Sequence, residues 1–198
     1  MSSLFKIQFF IGIIFSISIS CQRAAEQETV NTYFDVVEPD TNTIPGLYAV
    51  TDEEFLQYGA NLAYLDVKGD TIIPFGRYAY FGTDTLKYYA NVIERQNDGR
   101  QVGIDRQQRI LFDLVMFDNG PDPSHDGLTR VLRNGKMGYA DEIGRVVIPC
   151  IYDYAKQFEN GTAEVTFDAD KHQDEDGHLT VNSSEWFTID KTGKRITD

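Results

Sequence analysis

Asp66, Asp105, Asp141 and Asp190 each close one short apolar run and precede another, at spacings of 39, 36 and 49 residues, and this recurrence constrains the chain more than any other feature. A period of about 20–50 residues marks a repeat architecture, in which one small unit cannot cover its own apolar face and must be covered by its neighbours. Three residues after the anchors stand Gly69, Gln108, Gly144 and Gly193. Asp-x-x-Gly suits a tight hairpin, because Asp accepts hydrogen bonds from nearby amides and Gly takes a positive φ. The next strand reads Thr71-Ile72-Ile73, Ile110-Leu111-Phe112 or Val146-Val147-Ile148, and it meets Pro74, Asp113 or Pro149 eight residues past the anchor. A proline there has no amide with which to extend a ladder. Tyr78, Phe117 and Tyr152 follow at nearly constant distance, and Ala90-x-Val92, Thr129-x-Val131 and Ala163-x-Val165 fit a third strand.

Helical periodicity is hard to find past residue 43, and short apolar or aromatic runs alternate with Gly, Asp and Asn at turn spacing. The expected fold is all-β: tandem small antiparallel sheets of about three strands each, stacked as an open array or a propeller-like assembly. The domain is placed at residues 44–198, with units at about 61–94, 101–133, 137–166 and a truncated, cap-like 185–196. Gly138-Tyr139-Ala140-Asp141, Gly144-Arg145-Val146-Val147-Ile148-Pro149, Tyr152-Asp153 and Phe158-x-Asn160-Gly161-x-Ala163 resemble the WG repeat family of bacterial β-repeat proteins, and the resemblance extends over roughly two thirds of the chain. The namesake Trp-Gly pair is absent: the corresponding positions hold Leu62-Ala63, Val102-Gly103, Met137-Gly138 and Trp186-Phe187. The resemblance implies interaction or scaffold modules that share no catalytic residues.

The first twenty residues differ from the rest. Lys6 supplies a positive start, and Phe9 to Ile19 runs FFIGIIFSISI without a charge. A membrane-spanning helix needs about 20 apolar residues, so residues 1–20 read as a secretory signal peptide. Ser18-Ile19-Ser20-Cys21 resembles the lipobox of bacterial lipoproteins, which implies cleavage before Cys21, its acylation, and attachment to a bacterial membrane on the periplasmic or cell-surface side. Ser18 stands where Leu or Val is usual, so ordinary cleavage with release stays open. Residues 21–43, rich in Glu, Thr, Asn and Gln, read as a lipid-anchored flexible tether. Acylation of Cys21 leaves Cys150 without a disulfide partner, either as a buried small hydrophobe or as a reactive thiol.

Lys and Arg total 18 against 31 Asp and Glu, a formal charge of −13, which argues against a nucleic-acid partner. The long last spacing betrays an insertion at 168–184. There Asp168, Asp170, Asp174, Glu175 and Asp176 offer hard oxygen ligands suited to Ca²⁺, and His172 and His178 would suit a transition metal. Against an EF-hand loop only Asp174-x-Asp176-Gly177 falls into place, and a solvated hairpin tip explains the same residues. An insertion in the second unit, Asn119 to Asp126, places Ser124, His125 and Asp126 side by side, whereas a hydrolase triad converges from separated elements, so a Pro-punctuated surface loop is expected there. Tyr78-Ala79-Tyr80-Phe81 and Lys87-Tyr88-Tyr89 could offer aromatic faces to a sugar, or fill the core. No phosphate loop, zinc motif or nucleophile elbow is present, so neither cofactor nor catalytic residue is expected. The sequence thus describes an exported, membrane-attached binding or scaffold protein, not an enzyme, with an envelope protein or glycan as partner. The alternative is a glycan-binding accessory lipoprotein.

Overall fold

The structure, a computed structural model, describes residues 32–36, 45–173 and 179–197. The expected signal peptide and Cys21 lie outside the described residues. Among those described there are seventeen strands and no helix: β1 (Leu47–Val50), β2 (Asn61–Leu65), β3 (Thr71–Tyr80), β4 (Thr85–Leu86), β5 (Tyr89–Glu94), β6 (Gln101–Asp105), β7 (Ile110–Leu114), β8 (Met116–Phe117), β9 (Gly120–Pro121), β10 (Leu128–Arg133), β11 (Lys136–Asp141), β12 (Val146–Tyr152), β13 (Tyr154–Ala155), β14 (Thr162–Thr166), β15 (Asp170–Gln173), β16 (Leu179–Asn182) and β17 (Phe187–Asp190). The fold is the expected all-β repeat. A ten-stranded sheet runs β12-β11-β10-β7-β6-β5-β3-β2-β1-β4, a three-stranded sheet runs β13-β14-β17, and β8-β9 and β15-β16 are separate hairpins.

The units are β2-β3-β5, β6-β7-β10, and β11-β12 continued by β13-β14. They meet edge to edge, because the last strand of each is hydrogen-bonded to the first of the next: β5 to β6, β10 to β11 and β14 to β17. Edge strands carry unpaired amides and carbonyls, and these junctions satisfy them between units.

All four anchors make the same turn. The amides of Gly69, Gln108, Gly144 and Gly193 donate to the carbonyls of Asp66, Asp105, Asp141 and Asp190 at 2.9–3.0 Å, and each residue has a positive φ, 87°, 63°, 83° and 80°. Gln108 thus adopts the left-handed conformation that its chemistry disfavours. Just beyond the first three turns the register slips: Leu65 pairs Thr71 but Tyr64 pairs Ile73, Ile104 pairs Ile110 but Gly103 pairs Phe112, and Ala140 pairs Val146 but Tyr139 pairs Ile148. One extra residue on the second strand makes a β-bulge, which sharpens the local twist.

This register corrects the alignment of the second unit. Gly103 occupies the place of Tyr64 and Tyr139, each two residues before its anchor, and Val102 that of Ala63 and Gly138, so Val102-Gly103 stands one position off Leu62-Ala63 and Met137-Gly138. The missing aromatic is supplied from across the ladder by Phe112, whose ring covers Gly103; a Cβ there would lie 2.4 Å from it. Gly138 is needed for a different reason: a Cβ would lie 2.5 Å from the Ile148 carbonyl oxygen and 2.7 Å from the Cys150 nitrogen. Phe117 is a second correction. Tyr78 and Tyr152 are buried, but Phe117 is 50% exposed on the β8-β9 excursion, and Leu114 opposes Val131 as Tyr80 opposes Val92.

Three clusters form the core. The first unit encloses Leu47, Leu62, Tyr64, Ile73, Leu86 and Val92. Its end of the sheet curls, since β4 pairs with β1 yet lies only two residues before β5. The third unit and β17 enclose Met137, Tyr139, Ile148, Phe158, Val165 and Ile189. Between them Leu111, Phe112, Leu114, Val131 and Ala140 form a middle layer, against which Val36, Tyr89 and Cys150 pack. Tyr64 and Tyr139 reconcile burial with a polar tip in the same way, donating to the Thr83 and Lys156 carbonyls at 2.7 and 2.6 Å. Burial pushes both phenols well above their ordinary range.

Candidate functional site

The excursion in the second unit builds one wall of a groove of about 1560 Å³ between the β8-β9 hairpin and β13-β14. Asp118 and Asn119 both have positive φ, 46° and 65°, the geometry of a tight two-residue hairpin, and Asp and Asn tolerate it better than most residues. The hairpin is fixed at its base. The Asp122 amide donates to the Val115 carbonyl at 2.8 Å, and the Asp122 carboxylate accepts from Arg130 Nη2 and Nε at 2.6 and 3.0 Å and from Gln157 Nε2 at 2.9 Å. Arg130 Nη1 donates to the Ala155 carbonyl at 3.2 Å. These side chains are 1% and 8% exposed for Asp122 and Arg130, so both charges depend on this network for the solvation they have lost.

Above that saturated base the rim is apolar. Met116, Phe117 and Leu179 are 42%, 50% and 54% exposed. Tyr154 and Lys156 continue the lining, with Lys156 Nζ bonded to Glu164 and set over the Trp186 ring at 4.8 Å, and Lys171 over Tyr154 at 6.0 Å. Apolar surface flanked by charged side chains can hold an extended ligand through van der Waals contact and peripheral hydrogen bonds. Sequence reasoning took this excursion for a plain surface loop. Its signal was Asp122 between two prolines, an acidic residue whose partner, Arg130, lies eight positions on.

A second assembly involves the segment expected to be free tether. Tyr33 Oη donates to Asp113 Oδ2 at 2.5 Å and accepts from Arg100 Nη2 at 3.2 Å and from the Asn134 amide at 3.3 Å. Arg100 and Arg133 each stand 5.7 Å from its ring centre. Arg133 also donates to the Phe34 carbonyl at 3.0 Å and to Asp35 Oδ1 at 2.9 Å, and the Phe34 amide donates to the Ile110 carbonyl at 2.9 Å. Residues 32–36 are therefore docked on the second unit, a correction to a tether spanning 21–43. Desolvation and the Asp113 carboxylate raise the Tyr33 phenol above its usual range.

The anchors Asp66, Asp105, Asp141 and Asp190 are turn residues. Each carboxylate Oδ1 accepts from two amides within its own turn, those of Lys68 and Asp70, Gln107 and Arg109, Ile143 and Arg145, and Thr192 and Lys194. The Asp70 and Lys68 amides hold the Asp66 carboxyl below its ordinary range, and the Thr192 hydroxyl with the Lys194 amide does the same for Asp190.

The insertion at 168–184 forms the β15-β16 hairpin. Asp168 accepts from the Ser184 hydroxyl at 2.6 Å and Asp170 pairs with His172 at 2.8 Å, while Asp174, Glu175, Asp176 and His178 lie outside the described residues. Among the described residues no three His, Cys, Asp or Glu side chains converge on a point that could hold a metal ion. Ser124, His125 and Asp126 belong to a tight loop: His125 and Leu128 exchange backbone bonds at 2.9 Å, and Asp126 accepts from the Gly161 amide at 2.7 Å and, through its carbonyl, from Lys191 Nζ. Tyr78, Tyr80 and Phe81 are buried, and Tyr89 packs edge-on against Phe112, so the sugar-facing reading of these aromatics gives way to core packing. Cys150 behaves as a partly buried hydrophobe, its thiol pushed up to about 11 by desolvation and its Sγ 3.8 Å from the Val131 carbonyl.

Edge-joined units of three or four short strands, each with an aspartate turn between its first two strands, define an all-β repeat protein. Within it, residues 137–169 match the family model for the WG containing repeat. No curated protein and no solved structure matches the chain.

Proposed function

We propose that this is a membrane-anchored, extracytoplasmic β-repeat binding or scaffold protein of the bacterial envelope. The groove between the β8-β9 hairpin and β13-β14 carries the binding part of the reading, because it joins an exposed apolar rim to a rigid, buried-ion-pair base. The leader and Cys21 support export and attachment. Binding rather than turnover is its role: Ser124, His125 and Asp126 are spent on a turn, and the Cys150 thiol is held protonated at neutral pH. A glycan is the second ligand reading, favoured by the Phe117 and Tyr154 rings beside Lys156 and Glu164 in the same groove.

The anchor is tested by fractionating cells that carry the parent or the Cys21→Ser chain, with protease added outside. The parent is expected with membranes and the variant in the soluble fraction; a parent that is soluble rejects the anchor. For the groove, the mature chain is applied to a glycan array beside Phe117→Ser. Signal lost in the variant supports the glycan, and silence at high protein concentration directs the search to envelope proteins.

A further inference from the structure

We propose that the second unit carries a dedicated recognition site for the segment leading into the domain, and that by closing on Tyr33 it sets the repeats at a short, fixed distance from their attachment point. The distance part rests on the Cys21 reading; the recognition part does not. Three departures of the second unit from its neighbours converge here. Eight residues past the anchor, the first and third units have Pro74 and Pro149, but the second has Asp113, the acceptor for the Tyr33 hydroxyl. Arg100, just before β6, pairs with Asp113 at 2.6 Å and stands over the Tyr33 ring; the residues just before β2 and β11 are Ala60 and Gly135. Arg133, at the end of β10, bonds Phe34 and Asp35; the corresponding strand ends hold Glu94 in the first unit and Thr166 in the third.

The chemistry selects its occupant. A phenol is needed between a carboxylate and two guanidinium faces, and an acid two residues on is needed for Arg133. Tyr33-Phe34-Asp35 meets both demands, Arg109 stands 5.3 Å over the Phe34 ring, and Val36 adds to the middle core layer. With Tyr33 held, only residues 22–31 separate Cys21 from the docked segment. That allows a reach of at most about 35 Å, against about 75 Å for a free stretch through residue 43.

Hydrogen exchange of the mature chain tests the site. Peptides covering residues 32–36 should exchange at least ten-fold more slowly than an unstructured chain, at a rate independent of protein concentration. Tyr33→Ala and Asp113→Ala should release them to the unstructured rate, and Tyr33→Phe should fall between, while peptides from residues 137–165 stay protected as a check on folding. Residues 32–36 unprotected in the parent, unaltered by Tyr33→Ala, or protected only as concentration rises would overturn docking within the chain. Distance is read separately, by energy transfer from a dye on the domain to a labelled vesicle carrying the lipidated protein; Tyr33→Ala should lower it. Unchanged transfer rejects the spacer while leaving the exchange result to decide the site. Absence of vesicle binding by parent and variant alike rejects Cys21 instead.

Discussion

At the residue scale, what recurs is a carboxylate with two amide bonds and a left-handed residue three positions on. The two parts differ in how much the surroundings add. Gly69, at φ 87°, would direct a Cβ into open space, whereas a Cβ on Gly144, at φ 83°, would lie 2.8 Å from the Tyr89 ring. Gly69→Ala should therefore cost about 1 kcal/mol of backbone strain, and Gly144→Ala about 2–3 kcal/mol because the Tyr89–Phe112 contact must shift as well. Thermal melts of both variants check this, and equal losses would show that the ring moves without cost. These turns were legible in the sequence, because an Asx turn is written in adjacent residues. Gln108 was legible only as an exception: the local bonds to Asp105 override its preference, an outcome decided by the whole hairpin.

Among the elements, the second unit shows that a repeat conserves volume across a ladder rather than residues along a strand. Tyr64 faces Ile73 and Tyr139 faces Ile148, but Gly103 faces Phe112, so the large side chain has moved to the partner strand. Gly103→Tyr alone should be severely destabilising, by about 3 kcal/mol or more, since its side chain would meet the Phe112 ring. Adding Phe112→Ile should recover a substantial part of the loss, a coupling that denaturant melts of the two single variants and the double variant will measure. Additive losses would mean that Gly103 is not at the tyrosine position. Counting back two residues from Asp66, Asp105 and Asp141 gives Tyr64, Gly103 and Tyr139, so the shift is legible from the anchors, and it is the match of Gly103 to Gly138 that hides it. Spacing alone misplaces Phe117: the distance from the anchor survives, but an inserted hairpin has taken up the intervening residues.

The molecule as a whole is tied together by contacts that cross unit boundaries and that no local pattern announces. Asp122 belongs to the second unit, and its network reaches Ala155 and Gln157 in the third. Asp122→Ala would strand the Arg130 charge in the interior and should cost about 3–5 kcal/mol, whereas Asp122→Leu with Arg130→Met should cost much less. Chemical denaturation distinguishes them, and a loss below about 1 kcal/mol for Asp122→Ala would show that water reaches Arg130. The polar composition of residues 21–43 as a whole made 32–36 look like part of a spacer, and only folding brings Asp113, Arg100 and Arg133 to one face to receive them. The docked segment also decides how the protein would answer to tension. A pull from the N-terminal side arrives first at the Tyr33 contacts, midway along the array, and reaches β1 only after they yield. The second unit would then act as a mechanical fuse, sparing the hydrogen bonds of β1 and β2 until the force exceeds what one tyrosine and its arginines can resist.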